Sequence, residues 1–202
     1  MKLSCAISDG LEETYYLMDQ NISTTANLDL TLLSDMMEKA AELCRERNVP
    51  LPKKVRIHAD KATSETRNQT AFKWGALMVH RSIWTQAVFT YFAVGHSHGL
   101  PDQRFSVVRS KLTTEKVMET PDDFLAAVRK VVPTGGRQLR AQSVHSLFDF
   151  KEFLEPLECQ LSGHTSTRKK LLNNEEVCHS FTLMTRKTFC TSFLNQILMV
   201  IL

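Results

Sequence analysis

Apolar residues along this chain recur with two different periods, and the alternation between them predicts the elements. Leu3, Ala6 and Ile7, then Thr14 to Met18, are short runs with strand character, separated by the turn signal Ser8-Asp9-Gly10. From Asp29 to Arg47 the period becomes helical: Leu32, Leu33, Met36, Ala40, Leu43 and Cys44 share one stripe, and Asp35, Glu38, Lys39, Glu42 and Arg45 take the other. Pro50 and Pro52 are expected to stop that helix. Val55-Arg56-Ile57-His58 reads as a strand. Ser64 to His80 reads as a helix capped by Ser64, with Ala71, Trp74, Gly75, Met78 and Val79 inward. Gln86 to Val94, rich in β-branched and aromatic residues, is the strongest strand signal. A loop over Gly95–Pro101 then leads to a helix with Asp102 near its start and Phe105, Val108 and Leu112 on its apolar side. Pro121 opens a further helix, to about Val132.

An opening hairpin followed by strands alternating with helices predicts an α/β fold, a mixed sheet with flanking helices on both faces. Pro133-Thr134-Gly135-Gly136 is the clearest linker signal. It suggests a domain over residues 1–134 and a C-terminal extension of low order over 135–202. Phe148, Phe150, Phe153 and Leu154 suggest one short element in that extension. Its last residues, from Phe193 on, are apolar but too few to span a bilayer, which needs about 20. They read as a core strand or helix, or as a tail.

Composition changes this picture little. Among 202 residues, 43% are hydrophobic and 23% charged, and 25 basic against 22 acidic residues leave a net charge of +3, so any nucleic-acid partner must be met by locally clustered cations. The five cysteines contain no close pair, which argues against a disulfide framework or a C-x-x-C clamp and for free thiols in a reducing, intracellular compartment. No secretory signal follows Met1, and nothing points to a membrane.

Candidate chemistry gathers at two strand ends. Asp60 follows one strand, and the loop Gly95-His96-Ser97-His98 up to Asp102 leaves another. In α/β sheets ligands collect outside the carboxyl ends of strands. If these two strands are neighbours, Asp60 and Asp102 could share a hard divalent cation, Mg²⁺ or Mn²⁺, as in phosphodiester cleavage by paired metals. Each acid also has a plainer use, as a turn or helix-cap residue. His58 shares the Asp60 side of its strand. His58, Asn68, His96 and His98 are the supporting candidates, and the last two serve equally well to close their loop.

Residues 57–105 resemble an uncharacterised domain found in transposon-derived genes. That domain's pattern is a strand ending in Asp-Asn, a Gly-Gln-Asn-Lys-Asn segment, a helix with Trp-Leu-Val, a strand, then Gly-His-Thr and Asp-x-x-Phe. Here Asp60, Glu65-Thr66-Arg67-Asn68-Gln69, Leu77-Met78-Val79, Gly95-His96-Ser97 and Asp102-Gln103-Arg104-Phe105 stand in those places. The likeness is close over 57–105 and loose over 1–118. It implies an RNase H-like fold, as in DDE-type transposases, with one acid on the first strand, one just after the fourth and one on the helix after the fifth. Carried over, Asp60 takes the second role and Asp102 the third, with Mg²⁺ or Mn²⁺ as cofactor and DNA as partner.

This sequence departs from the pattern twice. Lys61 stands where asparagine is expected, beside Asp60. The first strand and its acid would lie upstream of Met1, so a truncated domain is expected, and Asp9 and Asp19 are poor substitutes. The expectation is therefore an ancestral Mg²⁺-dependent phosphodiester enzyme that is inactive here. The alternatives are a non-catalytic interaction module or remnant, and a metallophosphoesterase-like hydrolase. The last is suggested by Gly95-His96-Ser97-His98 alone, without the upstream metal-binding blocks such enzymes need.

Overall fold

Two consecutive runs of seven residues, β1 (Lys2–Ser8) and β2 (Glu12–Met18), pair antiparallel from Lys2↔Met18 to Ser8↔Glu12. Leu11 N–H closes the turn on Ser8 O at 3.1 Å, and Gly10 supplies the positive φ of 70° that the turn requires. The hairpin falls where the turn signal put it. The computed structural model describes residues 1–59, 69–91, 100–114, 118–157, 179–184 and 196–201.

Helix α1 (Ala26–Glu46) lays Leu28, Leu32, Leu33, Met36, Ala40 and Leu43 on the sheet. It ends before the prolines expected to stop it. Asn48 takes φ 53°, Asn48 N–H bonds Arg45 O at 3.1 Å, and Val49 N–H bonds Cys44 O at 2.8 Å. These two bonds satisfy the terminal carbonyls in a Schellman arrangement, for which asparagine is the common substitute for glycine. Strand β3 (Lys54–Ala59), helix α2 (Gln69–His80) and strand β4 (Gln86–Tyr91) form a parallel crossover unit, in register from Lys54↔Gln86 to Ala59↔Tyr91. The predicted cap Ser64 and strand residues 92–94 lie outside the described residues. Helices α3 (Leu100–Thr114) and α4 (Pro121–Arg129) follow. A capping box between Thr120 and Asp123, with Pro121 in the first turn, starts α4.

Pro133–Gly136, the linker signal, is a turn between α4 and a further strand, with Gly135 and Gly136 at φ 66° and 70°. That strand, β5 (Gln138–Val144), pairs parallel with β2 along its whole length. Helix α5 (Phe150–Leu154), β6 (His179–Met184) and β7 (Gln196–Ile201) complete the described elements. Residues beyond 135 thus contribute strands to the same sheet as residues before it. Sequence periodicity misses this, because β5 is largely polar and reads as surface.

The sheet has seven strands in the order β5-β2-β1-β7-β3-β4-β6. β1 and β6 run against the other five. α1, α2 and α5 cover one face, where Trp74 packs edge-on against Trp84 at 5.4 Å and Phe72 against Phe89 at 5.5 Å. α3 and α4 cover Cys5, Ile7, Tyr15 and Ala141 on the other. The fold is the mixed α/β sheet with helices on both faces that the alternation of elements predicts. No helix among the described residues is long and apolar enough to cross a membrane.

β7 lies at the middle of the sheet, antiparallel to β1 and parallel to β3. A chain ending at Pro133 lacks β5, β6 and β7, which leaves β1 and β3 unjoined. Such a chain is expected to show no cooperative urea transition by circular dichroism, whereas the full chain unfolds in one.

Candidate functional site

The two strands that deliver the candidate acids are neighbours. Ala59 and Tyr91 end β3 and β4 side by side, and Ile201 of β7 is in register with Ala59. Asp60 comes directly after Ala59, while Asn68 precedes α2 and His96 and His98 precede α3. These four residues and Lys61 lie outside the described residues. Asp102 sits in the first turn of α3, partly buried, where the helix end favours a carboxylate. His58 lies on the side of β3 opposite Val55 and Ile57, which face α1 and α2. Its cross-strand neighbours are Thr90 and Val200. Burial, and then the positive charge of Arg56, pull the His58 pKa down to about 4, so the imidazole is neutral at physiological pH.

The second half of the Asp102-Gln103-Arg104-Phe105 motif points into the protein. Arg104 Nε donates to Glu13 Oε1 at 2.7 Å, with the two side chains 4% and 0% exposed. Tyr15 donates its hydroxyl to the same oxygen at 2.5 Å, and Arg104 also donates to Val132 O at 2.8 Å. Phe105 meets the Tyr15 ring edge-on at 6.3 Å, and Val108 is buried one turn on. Burial alone would lower the Arg104 pKa, but the bonds and charge of Glu13 raise it, so the guanidinium stays charged. The neighbouring Cys5 thiol is pushed up by burial and by the Glu13 charge, and is held protonated and inert. The motif therefore fixes α3 on β2, and in doing so sets where Asp102 stands.

A second acid–arginine network occupies the other side of β2. Arg140 on β5 bonds both Glu12 and Asp35, and its guanidinium lies 5.8 Å from the Tyr16 ring centre. Tyr16 donates to Asp35 Oδ2 at 2.6 Å, Thr14 donates to Glu12 Oε1 at 2.8 Å, and Arg140 donates to Gln142 Oε1 at 2.7 Å. Sequence reasoning passed over Glu12, Glu13, Arg104 and Arg140. The available signal was the pair Glu12-Glu13 inside a strand otherwise made of Thr14, Tyr15, Tyr16, Leu17 and Met18. Adjacent strand residues face opposite sides, so one of two consecutive acids must be buried if both faces are covered.

A cavity of about 350 Å³ lies between α2 and α5, lined by Gln69, Thr70, Lys73, Asp149 and Lys151 among others. Two of its charged groups serve structure: Lys73 bonds the carbonyls of Leu154 and Glu155, and Asp149 caps α5. The strand ends of β3 and β4 are the better candidate.

The strand beside β3, β7, is Gln-Ile-Leu-Met-Val-Ile and has no carboxylate. Among the described residues no group of three or more His, Cys, Asp or Glu side chains is placed to hold a metal ion. The molecule is an α/β protein with a mixed seven-stranded sheet. It belongs to the family described as Domain of unknown function (DUF7869), whose model matches residues 1–192. No curated protein and no solved structure matches it.

Arg104→Met leaves Glu13 charged and buried with no counter-charge, and is expected to cost about 3–5 kcal/mol in urea unfolding. Arg104→Met combined with Glu13→Leu should recover most of that loss. The second network predicts a pH effect. Burial works against the Asp35 carboxylate, but hydrogen bonds from Arg140, Tyr16 and Gln142, with the Arg140 charge, outweigh it and lower its pKa. Its contribution is complete above the ordinary carboxylate value of about 4 and is lost as pH falls from there through the lowered folded-state value. Asp35→Asn is expected to reduce the dependence of stability on pH below about 4 by up to one proton, read from urea titrations at several pH values.

Proposed function

We propose that this chain is an RNase H-like domain of mobile-element descent that binds nucleic acid without cleaving it. The support is topological. With Asp60 as the acid after the fourth strand and Asp102 as the acid after the fifth, β3 and β4 are those strands, and β1 and β2 are the second and third. A first strand whose acid is to meet Asp60 must then lie against β3, and to lead into the hairpin it must pair antiparallel with β1. β7 lies in that position and in that direction.

The observation that carries the non-catalytic reading is that β7 has no carboxylate. Asp60 and Asp102 make at most an incomplete cage, and the ammonium of Lys61 follows Asp60 directly in sequence. Residues short of the full acid set do not fit a metal pair, so no cleavage step follows from them.

Single-stranded DNA, duplex DNA and RNA–DNA hybrid, each incubated with the purified chain and Mn²⁺ or Mg²⁺, should be cut no faster than by the Asp60→Asn/Asp102→Asn variant. Metal-dependent cleavage by the unaltered chain that Asp60→Asn removes would overturn the reading.

A further inference from the structure

The sheet ends on one side at β5, and one bond fixes which way its backbone groups point. Gln138 N–H donates to Leu11 O at 2.9 Å, so Gln138 turns its backbone towards β2. Backbone groups alternate sides along a strand, and Arg140, Gln142 and Val144 therefore do the same. Leu139, Ala141 and Ser143 turn theirs outward, where the sheet has no further described strand. An open row of this kind is a template for another strand.

β5 has few of the usual defences against such pairing. Its residues, Gln-Leu-Arg-Ala-Gln-Ser-Val, include no Pro, Gly or Lys, and the pairing with β2 runs unbroken from Glu12↔Gln138 to Met18↔Val144. Its one charged residue, Arg140, is turned to Glu12 and Asp35. Leu139 and Ser143 are half-buried, and among the described residues nothing bonds their outward N–H and C=O groups. The central carbonyl is the exception. Ala141 O accepts from Arg129 Nη2 at 2.7 Å, and Arg129 is an exposed residue in the last turn of α4. The guanidinium stands where the N–H of an added strand would stand.

A second copy of the chain fits this edge. Two β5 strands related by a two-fold axis at Ala141 pair antiparallel, with Leu139 opposite Ser143, Arg140 opposite Gln142 and Gln138 opposite Val144 of the second copy. No like charges meet in that register. Ala141 exchanges both its backbone bonds with its own copy there, and the carbonyl it needs is the one that Arg129 holds. We propose that β5 is a self-pairing edge held shut by Arg129, and that removing the guanidinium joins the sheets of two copies into one. The closure is independent of whether the domain binds nucleic acid.

Sedimentation velocity on the full chain tests this with four proteins: unaltered, Arg129→Met, Arg129→Met/Ser143→Pro and Lys130→Met. The unaltered chain sets the reference mass, and Arg129→Met is expected to double it in a concentration-dependent way. Proline at position 143 removes an outward N–H and no bond to β2, so the double variant should return to the reference mass. Lys130→Met removes the same charge one residue further on and should keep the reference mass. Amide hydrogen exchange gives a second reading that does not rely on proline. The Leu139 and Ser143 amides should exchange fast in the unaltered chain and become protected in Arg129→Met. An arginine that only ties α4 to the sheet predicts lower stability in Arg129→Met with unchanged mass. Unchanged mass in Arg129→Met, association that persists in the double variant or appears equally in Lys130→Met, or no gain of protection at Leu139 and Ser143 would each overturn the proposal.

Discussion

The structure hangs on two glutamates that follow one another in β2 and face opposite ways. Glu12 is held by Arg140 from β5, beside Asp35 of α1, and Glu13 is held by Arg104 from α3. One strand thereby fixes an edge strand and a helix on each face. Apolar packing would tolerate sliding of α3 along the sheet, whereas a bond from Nε to a single carboxylate oxygen inside a dry layer does not. Buried ion pairs of this kind add little net stability against an apolar replacement, but losing one partner is costly, so they serve register more than strength.

This arrangement changes the meaning of the Asp102-Gln103-Arg104-Phe105 motif. Read as catalytic, its weight falls on the aspartate. In the fold, Arg104 and Phe105 grip Glu13 and Tyr15, and Gln103 is the motif's exposed member. A spacing that recurs because it anchors a helix looks the same in one sequence as a spacing that recurs because it builds a site.

Much of the fold was legible in the sequence where periodicity carries the information. The β1–β2 hairpin, α1, β3, α2, β4 and α3 lie close to their predicted places, because each buries one stripe or one face. β5 was hidden because its side chains are half polar, and its most informative residue, Arg140, is paired across the sheet with acids far away in sequence. No local pattern reports such a contact. β7 was legible as an apolar run but not as a central strand, since register and position depend on partners. Of the candidate site, alternation of elements left the adjacency of the two strand ends open, and the pairing of β3 with β4 supplies it.

Charge is also divided along the sheet. The glutamates and their arginines lie in the half containing β5 and β2. The half containing β7, β3, β4 and β6 has cations and hydroxyls without carboxylates.

The position of β7 has a consequence for how the molecule folds. It is the last described strand in chain order, yet it separates β1 from β3, so the hairpin and the crossover unit are joined in the sheet through it. Joining them requires closure of a very long loop, a late and slow step in which contacts distant in sequence must be gained at once. Until then β1 and β3 each offer an unpaired backbone edge to other chains, and the polypeptide is most exposed to aggregation in that interval.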